Sequence, residues 1–289
     1  MPELPEVEGV VRALRPVAIG KTIEKVQVSE TVHRSKSEGK DAILKAIDPE
    51  DFIKKMEGME ISDVTRRSKY IYFHLNKGDT EYLLVNHLGM SGAWFAVNDL
   101  LEISEEKFRK HIHVIFETKK GLLVFSDIRR FGEMRLLRAE SDFPPLLLMA
   151  PEPFDNMALT HFLSMCDLSK YKDKPIKEVI MDGHVISGCG NIYATEALFK
   201  MGIRPSRKVK QISKIRKEEL FITIVDILKE SIVQGGSTIS DYRNINGEAG
   251  GMQHRLKMYG RKICTECGTP TKSLQIGGRT SVYCPSCQK

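Results

Sequence analysis

Several things are missing from this chain of 289 residues. No uninterrupted run of 18 apolar residues occurs, and Met1 leads directly into charged sequence without an apolar core segment, so neither a membrane span nor a secretory signal has support. A cytoplasmic protein is the expectation. No internal repeat or low-complexity tract is present, which removes solenoids and disordered linkers from consideration. Cysteine is scarce before residue 264. Cys166 and Cys189 are unpaired by spacing and read as small buried hydrophobes. The first 200 residues also lack a basic excess, holding 28 Lys and Arg against 31 Asp and Glu.

The hydrophobic share of 41% and the charged share of 28% are those of an ordinary globular protein, long enough for two domains. The net charge of +6 is concentrated at one end: residues 201 to 289 carry 16 Lys and Arg against 7 Asp and Glu. Such a field suits a polyanion, although a single stretch such as Arg207 to Lys210 reads by itself as a solvated face. The other four cysteines form two corners, Cys264-x2-Cys267 and Cys284-x2-Cys287, separated by 16 residues. In a reducing compartment this spacing points to one Zn²⁺ held by four thiolates. The metal would be structural, since the shell is full and the segment has too thin a core to fold unaided.

The run Pro2-Glu3-Leu4-Pro5-Glu6-Val7-Glu8 carries a different chemistry. Removal of Met1 would leave the secondary amine of Pro2 free, and an α-amino group titrates near pH 8, against about 10.4 for lysine. It is then a usable nucleophile at neutral pH, with the Glu3 carboxyl beside it to move protons. Read more plainly, Pro5 and the acids simply begin a helix.

Val7, Val10, Val11 and Leu14 continue at helical spacing. Short β-branched or aromatic runs follow at Val26 to Val28, Tyr70 to Leu75, Tyr82 to Val85, His111 to Phe116 and Leu122 to Phe125, and predict a β-sandwich or barrel. Glu38 to Met59 reads as a charged helical connection. Phe143-Pro144-Pro145 and Pro151-Glu152-Pro153 place a boundary, after which the pattern turns helical, most clearly at Asn191 to Met201 and Lys217 to Val233. In Gly188-Cys189-Gly190-Asn191-Ile192-Tyr193 two glycines precede an Asn able to cap a helix, a start whose amides favour phosphate. A helix packing joint would need the same glycines.

The start at Pro2, the Gly188-x-Gly190-Asn191-Ile192-Tyr193 turn and the four-cysteine end together resemble the formamidopyrimidine-DNA glycosylases. So do Arg66-Arg67-Ser68-Lys69-Tyr70, His87-Leu88-Gly89-Met90-Ser91-Gly92, Asp127-Ile128-Arg129-Arg130-Phe131-Gly132 and Tyr259-Gly260-Arg261. The resemblance spans the chain. It implies an α+β multidomain protein: an N-terminal β-sandwich catalytic domain over 1–143, a helix-two-turn-helix DNA-binding domain over 150–245 and a zinc ribbon over 255–289. Damaged or abasic duplex DNA would lie in the cleft between domains, bound by a monomer of bacterial, nucleoid-associated type.

The same resemblance assigns roles. Pro2 would attack C1′ of the damaged nucleotide, form a Schiff base and permit β- and δ-elimination, with Glu3 handling protons. Lys69, otherwise a solvent-facing strand neighbour, would act near the phosphates. Arg279, behind Gly277 and Gly278, would hold the lesion phosphate. Asn191 and His111 would contact DNA, and Met90, Arg129 and Phe131 would fill the space left by the flipped nucleotide. Read without the motifs, Met90 and Phe131 are core residues. The glycine-rich stretch 235–251 matches a mobile base-recognition loop. Departures are Ile112 where aspartate is usual, His184 where Lys or Gln is common, Met149-Ala150 before Pro151, and residues 33–55. Oxidised purines are the expected substrates. An endonuclease VIII-like enzyme for oxidised pyrimidines and a non-cleaving binder of damaged DNA are the alternatives.

Overall fold

The computed structural model describes residues 2–237, 245 and 250–289. The chain forms two units, Met1–Leu147 with Gly235–Gly251, and Leu148–Gln234 with Met252–Lys289. The stretch Gly235–Gly251, which follows the helical segment in sequence, thus belongs to the first unit.

In the first unit the elements are α1 (Leu4–Ala18), β1 (Lys25–Val28), α2 (Glu30–Ser37), β2 (Ile43–Leu44), α3 (Pro49–Met56), β3 (Glu60–Arg67), β4 (Tyr70–Lys77), β5 (Thr80–His87), β6 (Gly92–Val97), α4 (Glu106–Arg109), β7 (Ile112–Thr118), β8 (Gly121–Asp127) and β9 (Glu133–Leu137). They build two sheets, ordered β2-β9-β5-β4-β3 and β1-β7-β8-β6. The sheets share a core in which Trp94 of β6 lies 5.0 Å from the Phe73 ring of β4 and 5.3 Å from the Phe125 ring of β8. The buried indole N–H donates to Asn86 Oδ1 at 2.8 Å, so the large ring is buried with its one polar atom satisfied. Val7, Val10, Val11 and Leu14 bring α1 onto the same core, which fixes the chain start against the sandwich. A second apolar cluster, including Phe95, Phe108 and Val124, covers the opposite face of the four-stranded sheet.

The helix expected over Glu38 to Met59 is confined to α3. Two residues stop it from being continuous: Ile43 and Ala46 have φ of 62° and 57°, in the left-handed region that no helix of L-residues accommodates. Ile43 instead enters β2 and buries fully in the sandwich core. The strands β3, β6 and β9 escape the sequence pattern because charged or small residues interrupt their alternation, and neighbouring strands supply the pairing.

The second unit contains α5 (Ala158–Asp167), α6 (Ser169–Lys172), α7 (Ile176–Ile180), α8 (Asn191–Lys200) and α9 (Lys214–Val233), followed by the hairpin β10 (Lys272–Ile276) and β11 (Arg279–Tyr283). Ser213 caps α9 by accepting the Arg216 N–H at 3.4 Å. Phe162, Tyr193, Leu198, Leu220 and Leu228 are among the residues of its helical core. Cys166 and Cys189 are buried, and burial pushes the Cys166 thiol up to about 12, in line with a packing role.

Candidate active site and nucleic-acid contacts

Pro2 and Glu3 are buried at the head of α1. Four residues on, the helix is already in register: Val7 N–H donates to the Glu3 carbonyl at 3.1 Å. The organising group here is Glu6. One of its carboxylate oxygens accepts the Glu3 N–H at 2.8 Å, the return arm of a capping box, and the other accepts the Ser237 N–H at 2.7 Å. Gly236 is obligatory in this arrangement, with φ of 79° and an added Cβ only 2.9 Å from Glu6 Oε1. The Ser237 hydroxyl is buried without a hydrogen-bond partner among the described residues. Most of the expected base-recognition loop, 238–244 and 246–249, lies outside the described residues.

Lys69 sits in the two-residue turn between β3 and β4, half-buried, behind Ser68 at φ 55°. Arg66 secures that turn. Its guanidinium donates to the Ser68 carbonyl at 3.0 Å and to Glu8 Oε2 at 2.9 Å. Burial pushes the Glu8 carboxyl up, but hydrogen bonds from Arg66 and Arg12 outweigh it and leave the group below its ordinary range, hence ionised. A charge-assisted pair from α1 therefore holds the strained turn that carries Lys69.

Met90, Arg129 and Phe131 lie on two loops fastened to each other. The fully buried Asp127 carboxylate accepts from the Ser91 hydroxyl at 2.6 Å and from the Gly132 N–H at 2.7 Å, and the Arg129 N–H donates to Ser91 Oγ at 2.9 Å. A Cβ at Gly89 would lie 2.4 Å from the Gly132 nitrogen, so the loops approach as closely as backbone allows. Phe131 is 57% exposed and stacks under the Arg129 guanidinium at 4.9 Å. It is no core residue. Met90 is half-buried. His111 donates from Nδ1 to the Lys107 carbonyl at 2.7 Å, leaving Nε2 as its remaining ring nitrogen. Ile112 packs on the Phe95 and Phe108 cluster, which accounts for an apolar side chain in place of an acid.

In the second unit Asn191 is the first residue of α8, and Gly190 occupies the cap position expected for it. The Asn191 amide donates to the Thr280 carbonyl at 3.3 Å, while its Oδ1 is buried without a partner among the described residues. This joins the helix start to the ribbon hairpin. Gly277 and Gly278, both at positive φ, form the two-residue turn between Ile276 and Arg279, and Arg279 projects exposed at its end. Glu196 of α8 accepts three successive amides, those of Lys257, Met258 and Tyr259, at 2.8, 2.9 and 2.7 Å. It anchors the segment that leads into the ribbon. His184 lies exposed, its Nδ1 2.8 Å from Asp182 Oδ1.

The Sγ atoms of Cys264, Cys267, Cys284 and Cys287 all lie within 4.8 Å of one another, with Cys264 to Cys287 at 3.9 Å and Cys267 to Cys284 at 3.5 Å. A tetrahedron with metal to sulfur bonds of about 2.3 Å has edges of about 3.8 Å. The four thiols therefore fit one metal ion. The Thr269 hydroxyl, followed by its backbone, lowers the Cys267 thiol to about 6, which favours the thiolate that a metal requires.

Glu6, Arg66 and Asp127 stand inside the quoted motifs without an assigned role, and Glu196 stands in none of them. Glu6 had a signal, since it stands three positions after Glu3 as a capping box requires. Glu196 acts only through partners at least 61 residues away, and Arg66 and Asp127 each combine a near partner with a distant one, Glu8 and Ser91 respectively.

Three family models match. Residues 1–134 match the formamidopyrimidine-DNA glycosylase N-terminal domain, residues 149–243 its H2TH domain, and residues 262–289 a zinc finger found in FPG and IleRS. A formamidopyrimidine-DNA glycosylase of Exiguobacterium sp. is 38% identical over 294 residues, covering 100% of both chains. A Lactococcus lactis FPG mutant bound to Fapy-dG DNA superposes with a TM-score of 0.84 at 30% identity, covering 100% of each chain. The wild-type L. lactis protein bound to DNA with an oxidised pyrimidine gives 0.82, again at 30% identity and full coverage.

Proposed function

The chain belongs to the formamidopyrimidine-DNA glycosylase family, and from that membership we propose that it excises oxidised purines from duplex DNA and cuts the strand through a Schiff base on Pro2. The observation that carries this reading is the buried Pro2-Glu3 pair, held at the helix start by the Glu6 carboxylate. The Pro2 nitrogen attacks C1′ as the bond from C1′ to the base breaks, and Glu3 moves protons during sugar-ring opening and base loss. The resulting iminium withdraws electrons from the sugar. C2′ then loses a proton and the 3′ phosphate leaves, followed by the 5′ phosphate in δ-elimination.

Lys69 serves the β-elimination and Arg279 the lesion phosphate and δ-elimination. Asn191 and His111 hold the DNA backbone. Met90, Arg129 and Phe131 occupy the vacated space, which offsets an unstacking cost of a few kcal/mol. One Zn²⁺ in the four-thiolate site would keep the ribbon folded, and takes no part in the chemistry. The protein would act as a monomer in a bacterial-type cytoplasm. Among the described residues no helix is long and apolar enough to cross a membrane.

Borohydride reduction tests the mechanism, because only an iminium is converted to a stable cross-link. The wild-type protein should cross-link to abasic-site DNA, and a protein whose N-terminal amine is blocked should bind it without cross-linking. Equal cross-linking by a protein with a blocked N-terminus would remove Pro2 from the mechanism. A panel of single-lesion duplexes decides between purine and pyrimidine lesions, since L. lactis FPG proteins are seen with DNA of both kinds. A non-cleaving binder would leave every duplex intact.

A further inference from the structure

Beside the Arg129 loop runs an open groove of about 640 Å³ between α2 and the loop joining β8 to β9, lined in part by Thr31, Arg34, Lys40, Arg129 and Arg130. We propose that this groove binds the backbone phosphates of the DNA strand opposite the lesion, with Arg34 and Arg130 as its principal ligands. The inference rests on the functional reading above for the identity of the DNA.

The charges of the groove are unevenly satisfied. Its two acids are engaged: Asp41 pairs with Lys36 at 2.8 Å and accepts the Ala46 N–H, and Glu38 faces Lys40 at 3.4 Å. The Lys36 hydrogen bond holds the Asp41 carboxyl below its ordinary range, so that pair stays ionised and committed. Arg34, Arg129 and Arg130 have no acidic group within salt-bridge distance among the described residues. Three like-charged guanidiniums on one groove repel each other, and an anion between them removes that cost. Guanidinium suits phosphate in particular, because its planar fork donates two parallel hydrogen bonds.

The backbone is arranged to present these groups. Thr31 and Arg34 are three residues apart on α2 and share a face, which adds a hydroxyl donor to the cation. Arg130 is held at φ 57°, flanked by the Arg129 and Gly132 amides that Asp127 and Ser91 pin, so the loop is not free to relax out of this conformation. The strand assignment follows from position. Arg129 is one of the groove's lining residues and, on the functional reading, takes with Met90 and Phe131 the place of the flipped nucleotide. The base left facing Arg129 belongs to the other strand, so the phosphates within reach of Arg130 and Arg34, which line the same groove, are that strand's.

The test uses the full chain and a duplex carrying a tetrahydrofuran abasic analogue, with binding measured by anisotropy across salt concentrations. Arg34→Ala combined with Arg130→Ala should weaken binding about tenfold at 0.1 M salt and lower the log K against log salt slope by about 1.8, two phosphate contacts at about 0.9 each. Neutral methylphosphonate linkages, introduced singly along each strand, then locate the contacts. In the wild type, one or two on the opposite strand should weaken binding, and the same linkages should be silent in the double variant. Arg34→Lys should restore the slope without the full affinity, since it keeps the charge and loses the fork. An unchanged slope in the double variant would overturn the proposal, as would silencing confined to the lesion strand. Borohydride cross-linking of the wild type runs in parallel: if it fails while the opposite-strand coupling holds, the Pro2 reading falls and the groove stands.

Discussion

Glu6 and Ser237 are separated by 231 positions and joined by a hydrogen bond of 2.7 Å from the Ser237 amide to the Glu6 carboxylate. The same carboxylate holds the amide of Glu3. The chain start that carries Pro2, the proposed nucleophile, and the stem of the glycine-rich loop are thereby set by one side chain.

Glu6→Gln keeps the shape and one acceptor oxygen but aims an NH₂ group at an amide donor. Hydrogen bonds to charged groups are worth roughly 1.5–3 kcal/mol, so base excision should fall on the order of tenfold or more. Cleavage of a ready-made abasic site needs no base contact and should fall less. Single-turnover rates on the two substrates check this; equal losses would mean that the loop stem is not what Glu6 governs.

Asp127 supports the Arg129 and Phe131 loop from below, with no exposure of its own. Asp127→Asn should leave the Gly132 amide or the Ser91 hydroxyl without its acceptor, at a cost of about 1–3 kcal/mol in stability. It should also impair insertion into the duplex. Fluorescence of 2-aminopurine placed beside the lesion reports unstacking directly, and its rise should be slower in the variant at a temperature where the protein remains folded. A normal fluorescence rise would confine Asp127 to stability.

Much of this was legible in the sequence, and the limits have physical causes. The Cys264 to Cys287 spacing encodes its tetrahedron locally, and Gly277-Gly278 encodes its turn, because each depends on neighbours in the chain. Helix α9 and strand β4 are likewise legible locally, the strand from its aromatic and β-branched run. Residues 38–48 do not. Their apolar spacing imitates a helix, while positive φ at Ile43 and Ala46 is imposed by the adjoining sheet. Phe131 shows the reverse case: its composition says core, and only the Asp127 scaffold explains why it is held in the open. Glu196 is illegible in principle, since its three amide partners begin 61 residues away.

His113 should leave a pH signature. Its Nε2–H donates to the Asp127 carbonyl at 3.1 Å and its Nδ1 accepts from the Ser29 hydroxyl at 3.0 Å, and burial, with lesser contributions from Arg130 and His111, lowers its pKa against the opposing pull of Asp127. The unfolded chain, titrating near 6.5, then binds more protons than the folded one in the window just below that value. Stability should therefore be intact above about pH 6.5 and decline as pH falls towards the lowered folded value. His113→Gln should flatten this decline between pH 7 and 5 in thermal melts. His87, shifted the same way by burial, remains in both proteins, so the difference isolates His113.

Metal removal should act on the ribbon alone. Four-thiolate ribbons depend on metal for their fold, so chelation should release the β10–β11 hairpin and the Asn191 contact to Thr280. Amide exchange should quicken throughout residues 262–289 and stay slow in β4 and β5. DNA binding should be lost with it. A verified metal-free protein that binds lesion duplex as before would separate the ribbon from binding.

Arg279 offers the sharpest reading of what the ribbon does. It is exposed at the end of a glycine turn, and its neighbour Thr280 is tied to Asn191 at the start of α8. On the proposed reading this guanidinium meets a phosphate rather than a base edge, and a phosphate contact carries no sequence information. Arg279→Ala should thus weaken binding equally in all flanking sequences and reduce the log K against log salt slope by about 0.9. Base excision should also slow, because the lesion phosphate no longer steadies the flipped nucleotide against Pro2. If the slope is unchanged and affinity falls in only one sequence context, Arg279 reads bases, and the hairpin enters a groove rather than lying along the backbone.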